Sequence, residues 1–149
     1  MSSTRHLLDV NVLVALFDPG HVHHRVVARW FSSPGLQWGL CAFSEAGFLR
    51  VSTNVAAGNR TLEQATDVLK SFSNDPCYRF WPIKAGWSSL VEPFQDRVYG
   101  HQQVTDAFLL GLAIKEDGVL VTMDKAIRHL AGTKFSKHLL VLEEVEAKR

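Results

Sequence analysis

Asp9 and Asn11 stand two residues apart within residues 7–18, an apolar stretch that begins like a buried strand and continues on a helical beat. A carboxylate at the end of a buried parallel strand is costly, because burial disfavours its charged form unless a positive group sits opposite. In an open α/β sheet that place is the carboxyl edge, where ligands bind. Asp124 follows the apolar residues 119–122 with only Met123 between, so it too leaves a strand end. Glu45 opens the helix after the second strand, and Asp106 falls in the first turn of its helix, directly after a capping Thr105. Taken singly, the two helix-start acids balance a helix dipole and Asp124 serves as an N-cap. Taken together, the four face one sheet edge, where converging carboxylates repel and raise one another's pKa until a cation neutralises them.

The donors are all oxygen, with no suitably spaced Cys or His among them. That chemistry suits Mg2+ or Mn2+ rather than zinc. A hard cation lowers the pKa of a bound water and stabilises charge on a phosphoryl oxygen, so phosphodiester hydrolysis by a metal-activated water leads the reaction classes.

Several other residues bear on that chemistry. Arg50 shares Glu45's helix, about one and a half turns along, and suits phosphate. Arg97, His101, Lys125 and Arg128 flank the loops before Asp106 and after Asp124. They suit phosphate contacts that position RNA without specifying sequence. Asn11 orients Asp9 or caps the first helix. His21, His23 and His24 have ligand-like spacing but read better as a polar helix start at the rim of the site. Trp30, Trp38, Trp81 and Trp87 sit on apolar elements and read as packing rather than base stacking. No GxGxxG, GKS/T or Gly-x-Ser-x-Gly pattern is present, which argues against a nucleotide cofactor and a covalent nucleophile.

The elements that must hold these groups alternate. Residues 6–10 read as the first strand, and residues 11–17 start a helix that Asp18-Pro19-Gly20 breaks. Val26, Val27, Trp30 and Phe31 recur at helical spacing, and residues 36–41 form a second strand before a helix over 43–53. Thr61 caps a helix whose apolar stripe is Leu62, Ala65, Leu69 and Phe72. Residues 78–81 read as a third strand closed by Pro82, and 87–95 as a helix interrupted at Pro93. Residues 97–103 form a polar loop, and 105–116 a helix. Residues 119–122 form a fourth strand, 124–130 a short helix and 139–142 a last strand. Residues 143–149 form a charged tail without an apolar run, which predicts fraying. Strands alternating with helices predict an α/β sandwich around a mostly parallel sheet of four to five strands.

The composition sets bounds. The chain has 149 residues, 46% hydrophobic and 21% charged, which suits one domain with a proper core, spanning 1–149. No apolar run approaches the ~20 residues of a membrane helix, and no signal segment precedes the first strand, so a cytoplasmic location is expected. Cys41 and Cys77 read as buried thiols in a reducing compartment. A net charge of +1 excludes a globally basic nucleic-acid binder but not a local basic rim.

The motifs Leu-Leu-Asp9-Val-Asn11-Val-Leu, Ser44-Glu45 with Arg50, Thr105-Asp106-Ala and Val-Thr122-Met-Asp124 resemble those of the PIN-domain ribonucleases, and more narrowly the VapC toxins, in order across nearly the whole chain. The resemblance implies a PIN-like three-layer sandwich and a Mg2+- or Mn2+-dependent endoribonuclease restrained by a VapB-like antitoxin. It makes Asp9, Glu45, Asp106 and Asp124 the catalytic acids, with Asp9, Asp106 and Asp124 on the metal. Asn11, Ser44, Thr105 and Thr122 become supporting polar residues. A homodimer follows from the resemblance and from more apolar helix surface than one small core needs. Two other readings stand beside it: a non-catalytic RNA- or partner-binding module, and a metal phosphohydrolase for small phosphates. Asn11, where aspartyl-phosphate enzymes carry a second Asp, weakens the latter.

Overall fold

The computed structural model describes residues 4–143. Its core is a four-stranded, all-parallel sheet built from β1 (Arg5–Leu8), β2 (Gln37–Gly39), β3 (Val119–Thr122) and β4 (Leu139–Val141), in the order β2-β1-β3-β4. Strand side chains alternate between faces, and the parallel register pairs Leu7 with Leu120 and Leu8 with Val121. Leu7 and Leu120 therefore pack on one side, against α5 (Trp87–Val91), α6 (Val104–Lys115) and α7 (Ile127–Ala131). Leu8 and Val121 pack on the other, against α1 (Val10–Phe17), α2 (His24–Phe31), α3 (Ala42–Ser52) and α4 (Leu62–Ser71). Two separate apolar cores result, one per face, which is the three-layer sandwich expected from the sequence. Strands buried on both sides read as unbroken apolar runs for this reason.

Four local expectations need correction. The first strand ends at Leu8 rather than Val10, because Asp9 turns its carboxylate onto the Val10 N–H and becomes the N-cap of α1. Residues 78–81 form no strand of the sheet: they run beside residues 38–41 through isolated bridges at Trp38–Tyr78 and Cys41–Trp81, with the Arg79 N–H donating to Trp38 O and the Trp81 N–H to Leu40 O, and Pro82, which has no N–H, follows directly. Thr105 is not a cap: α6 starts at Val104, behind Gln103, and Thr105 lies inside the first turn. Leu62 leaves the apolar stripe of α4 and stands 63% exposed at the helix start, where Thr61 and Gln64 form a reciprocal capping box.

The expected frayed tail begins too early. Glu143 is held by Lys125 Nζ at 3.3 Å and Arg128 Nη2 at 3.1 Å, and these contacts lower its pKa. Residues 144–149 lie outside the described residues. Among those described, no helix is long and apolar enough to cross a membrane.

Candidate active site

Asp9 is 6% exposed at the carboxyl end of the central strand, its backbone N–H donating to Val121 O at 2.9 Å. Its carboxylate is held at both oxygens. Oδ1 accepts from the Val10 N–H at 2.7 Å, and Oδ2 accepts from the Thr122 hydroxyl at 2.8 Å. The same hydroxyl accepts from the Asp124 N–H at 3.1 Å, so one buried threonine ties the two aspartates' strand ends together. Asp124 Oδ1 in turn accepts from the Ala126 N–H at 2.9 Å, which folds the turn into α7. Asp106 arrives from the opposite side, in the first turn of α6.

Charge repulsion is written into the titration of these groups. Burial, then the charges of Asp9 and Asp124, push Asp106 up to about 7. Asp9 is also raised: burial outweighs the bonds from Thr122 and Val10, and Asp124 adds to the rise. Among the described residues no lysine or arginine comes within ion-pair distance of the three aspartates. Excess negative charge is thus left without a basic partner.

Asp9, Asp106 and Asp124 line one cavity of about 460 Å3, together with Asn11, Thr105 and Arg50. Its remaining wall comes from Val10 and from Phe43, Ala46, Gly47 and Val51 on α3. Close approach of α3 to α1 depends on Gly47, where a Cβ would sit 2.5 Å from Val10 Cγ2. At the mouth, Phe43 stacks on Phe108 with centroids 5.2 Å apart. Phe43, Ala46 and Gly47 are cavity residues that carry no chemical signature in the sequence. Their spacing with Arg50 along one helix face was the available signal.

The structure brings together three of the four acids. Glu45 does not line the cavity; its pKa is raised by burial alone, and its charge acts instead on Tyr78, whose phenol is pushed up to about 12 mainly by burial. Ser44 is also turned away, buried with its hydroxyl 3.5 Å from Cys41 Sγ. Arg97 lies along the end of α7, its guanidinium donating weakly to His129 O. Lys125 and Arg128 are engaged with Glu143, and His101 stands on a separate surface with Tyr99 and Gln103. The histidine triplet is not assembled: His24 Nδ1 is 2.8 Å from Ala15 O, and His21 Nδ1 accepts from the His23 N–H. Cys41 and Cys77 are free thiols, the first buried.

The donor chemistry of the cavity fits a hard divalent cation: carboxylate oxygens, one hydroxyl, mutual repulsion and, among the described residues, no basic group within ion-pair distance of the three aspartates. Asp9, Asp106 and Asp124 supply the charge. Among the described residues no three acidic, imidazole or thiol side chains already stand at ligating distance of one point, so the cavity is a lined basin rather than a closed cage.

Comparison with known proteins places this geometry. The PIN domain pattern matches residues 6–133. The chain is 39% identical over 131 residues to Ribonuclease VapC39 of Mycobacterium tuberculosis, covering 85% of this chain and 93% of that one. It is 41% identical over 128 residues to Ribonuclease VapC38 of the same organism, covering 84% and 89%. Among solved structures, a toxin–antitoxin complex from Klebsiella pneumoniae superposes with a TM-score of 0.62 at 17% identity, over 94% of this chain and 99% of that one. At that identity the superposition speaks for the fold alone. The sheet order, the strand-end aspartates and the match across residues 6–133 agree, and the chain belongs to the PIN-domain family.

Proposed function

We propose that this chain is a Mg2+- or Mn2+-dependent endoribonuclease acting in the cytoplasm as the toxin of a toxin–antitoxin pair. One observation carries the reading: Asp9, Asp106 and Asp124 line a single cavity at the sheet's carboxyl edge, with no basic side chain among the described residues within ion-pair distance of them. The ribonuclease names of the relatives and the toxin–antitoxin complex among the structural neighbours support it.

Asp9, Asp106 and Asp124 would hold the cation. When bound, a hard divalent ion lowers the pKa of water and stabilises charge on a phosphoryl oxygen. The protein's own contribution is positioning. Thr122 and Val10 fix both oxygens of Asp9, so the carboxylate is already oriented before substrate arrives. Asp106 holds a proton at its carboxyl below about pH 7 in the metal-free chain and is ionised above it. Arg50, on the cavity wall and without an acidic partner among the described residues, receives a phosphate of the RNA backbone.

Restraint comes from a VapB-like antitoxin, and the acidic cavity is chemically suited to accept an arginine from it. A homodimer would set two such cavities on one assembly. Incubating the purified chain with total RNA, with and without Mg2+ and with EDTA as control, and mapping the ends tests the reading. Cut RNA carrying 5′-phosphate and 3′-hydroxyl ends is expected. Intact RNA with Mg2+, together with harmless high expression without an antitoxin, rules the reading out.

A further inference from the structure

Two cations converge on one carboxylate beside the acidic cavity. Lys125 directly follows Asp124, a cavity acid, and Arg128 stands three residues on. Lys125 Nζ is 3.3 Å from Glu143 Oε1. The Arg128 fork spans both oxygens, with Nη2 3.1 Å from Oε2 and Nη1 3.5 Å from Oε1. Glu143 is brought there by the backbone. The Leu142 N–H donates to Thr122 O at 2.8 Å, which carries the chain beyond β4 to the strand end that also holds Asp9 and Asp124. A carboxylate and an RNA phosphodiester offer such a fork the same acceptor, one negative charge spread over two oxygens. Lys125, Arg128 and Glu143 are 70%, 52% and 40% exposed, so an incoming anion reaches them from solvent. Exposed ion pairs are held weakly and screened by salt, which makes exchange of one anion for another easy.

Resting on the ribonuclease reading above, we propose that Lys125 and Arg128 form a binding site for an RNA backbone phosphate next to the scissile one, and that Glu143 occupies this site in the free chain and yields it to RNA. Position favours a phosphate over an acidic side chain of another protein. RNA seated on the cavity acids lies against Asp124, so its next phosphate falls beside the residue that follows. Three carboxylates repel a polyanion, and two cations at their border offset that repulsion only when Glu143 gives way. Glu143 thereby lowers the affinity for RNA without touching the reacting atoms.

The test is a double-mutant cycle on RNA binding, run in an Asp106→Asn chain so that the RNA stays whole. Dissociation constants of a labelled, short single-stranded RNA are measured in Mg2+ at several salt concentrations. The chains compared are this parent, Glu143→Gln, the pair Lys125→Gln with Arg128→Gln, and all three changes together. Glu143→Gln should tighten binding about twofold to fivefold, the range that releasing exposed ion pairs allows. Loss of the two cations should weaken binding several-fold and flatten the plot of log Kd against log salt by about 0.7 for each phosphate contact removed. Without those cations Glu143→Gln should lose most of its effect, because its gain acts through them. RNA binding that is absent or indifferent to these changes overturns the inference, as does a Glu143→Gln gain that persists undiminished without the cations. A Glu143→Gln chain with a lowered unfolding midpoint and unchanged RNA affinity also overturns it, since the ion pairs would then only fasten the end of β4 to α7. If loss of the cations weakens antitoxin binding and leaves RNA binding intact, the site serves a protein and the phosphate assignment is overturned. The ribonuclease reading fails separately, when the wild-type chain leaves RNA whole in Mg2+.

Discussion

Thr122 and Asp9, separated by 113 positions, meet through a 2.8 Å hydrogen bond from the Thr122 hydroxyl to Asp9 Oδ2, and that hydroxyl simultaneously accepts the Asp124 N–H. Two of the three cavity acids are thereby held by one buried side chain. Thr122→Val keeps the shape but strips Asp9 of a bond that lowers its pKa, so Asp9 should titrate higher still. Leaving a buried acceptor and the Asp124 N–H unpaired should cost about 1–3 kcal/mol in denaturant unfolding. Cleavage should fall, with the acid limb of the pH–rate profile displaced upward, and Thr122→Ser should restore most of both. A variant as stable and active as the wild type would show that the hydroxyl positions nothing.

Asp9→Asn and Asp106→Asn remove charge from the cavity with little change in shape. Each should reduce Mg2+-dependent RNA cleavage by at least about 100-fold, the scale of losing one preorganised group at a reacting centre. Unfolding should show Asp106→Asn as stable as the wild type or more so, because it relieves repulsion from Asp9 and Asp124. Near-wild-type cleavage by either variant would mean that the reaction happens elsewhere.

Glu45→Gln separates the position of an acid on a helix from its part in the cavity. Since Glu45 acts on Tyr78 and does not line the acidic basin, the substitution should cost much less activity than Asp106→Asn. It should also lower the Tyr78 pKa from about 12, because one negative charge that disfavours phenolate is gone. Ultraviolet titration of the two tyrosines against the parent chain reads this directly. A loss of cleavage equal to that of Asp106→Asn would return Glu45 to the site.

Metal-free stability should depend on pH in a definite direction. The folded pKa of Asp106 is about 7, above its ordinary 3.8, so the native state binds more protons than the unfolded state between those values. Its stabilising contribution is therefore complete below about pH 3.8 and is lost as pH rises towards 7. Asp9, also raised, acts in the same sense. Denaturant midpoints in EDTA should fall across that window more steeply for the wild type than for Asp106→Asn, and Mg2+ should restore most stability at the high-pH end. Parallel curves for the two proteins would remove Asp106 as the source.

The sequence by itself determined the sandwich and the strand-end acids. Leu7-Leu8 and Leu120-Val121 are apolar at adjacent positions, which only a strand buried on both faces requires. Asp9 and Asp124 were legible because each directly ends or closely follows such a run. The Asp18-Pro19-Gly20 break and the Thr61 cap rest on local backbone chemistry that needs no tertiary partner. Glu45 was not legible in this way. It lies two residues from both Phe43 and Gly47, roughly 200° around the helix from each. Which of those faces meets the cavity depends on how α3 is turned, and the contact of Gly47 with Val10 on α1 decides that. Lys125 and Arg128 looked free beside Asp124 until the chain returned with Glu143 to engage them. Periodicity dictates which side chains share a face of an element. The rotation of that element, and the partner each charge finally meets, come from packing between residues far apart in the chain, which no local pattern encodes.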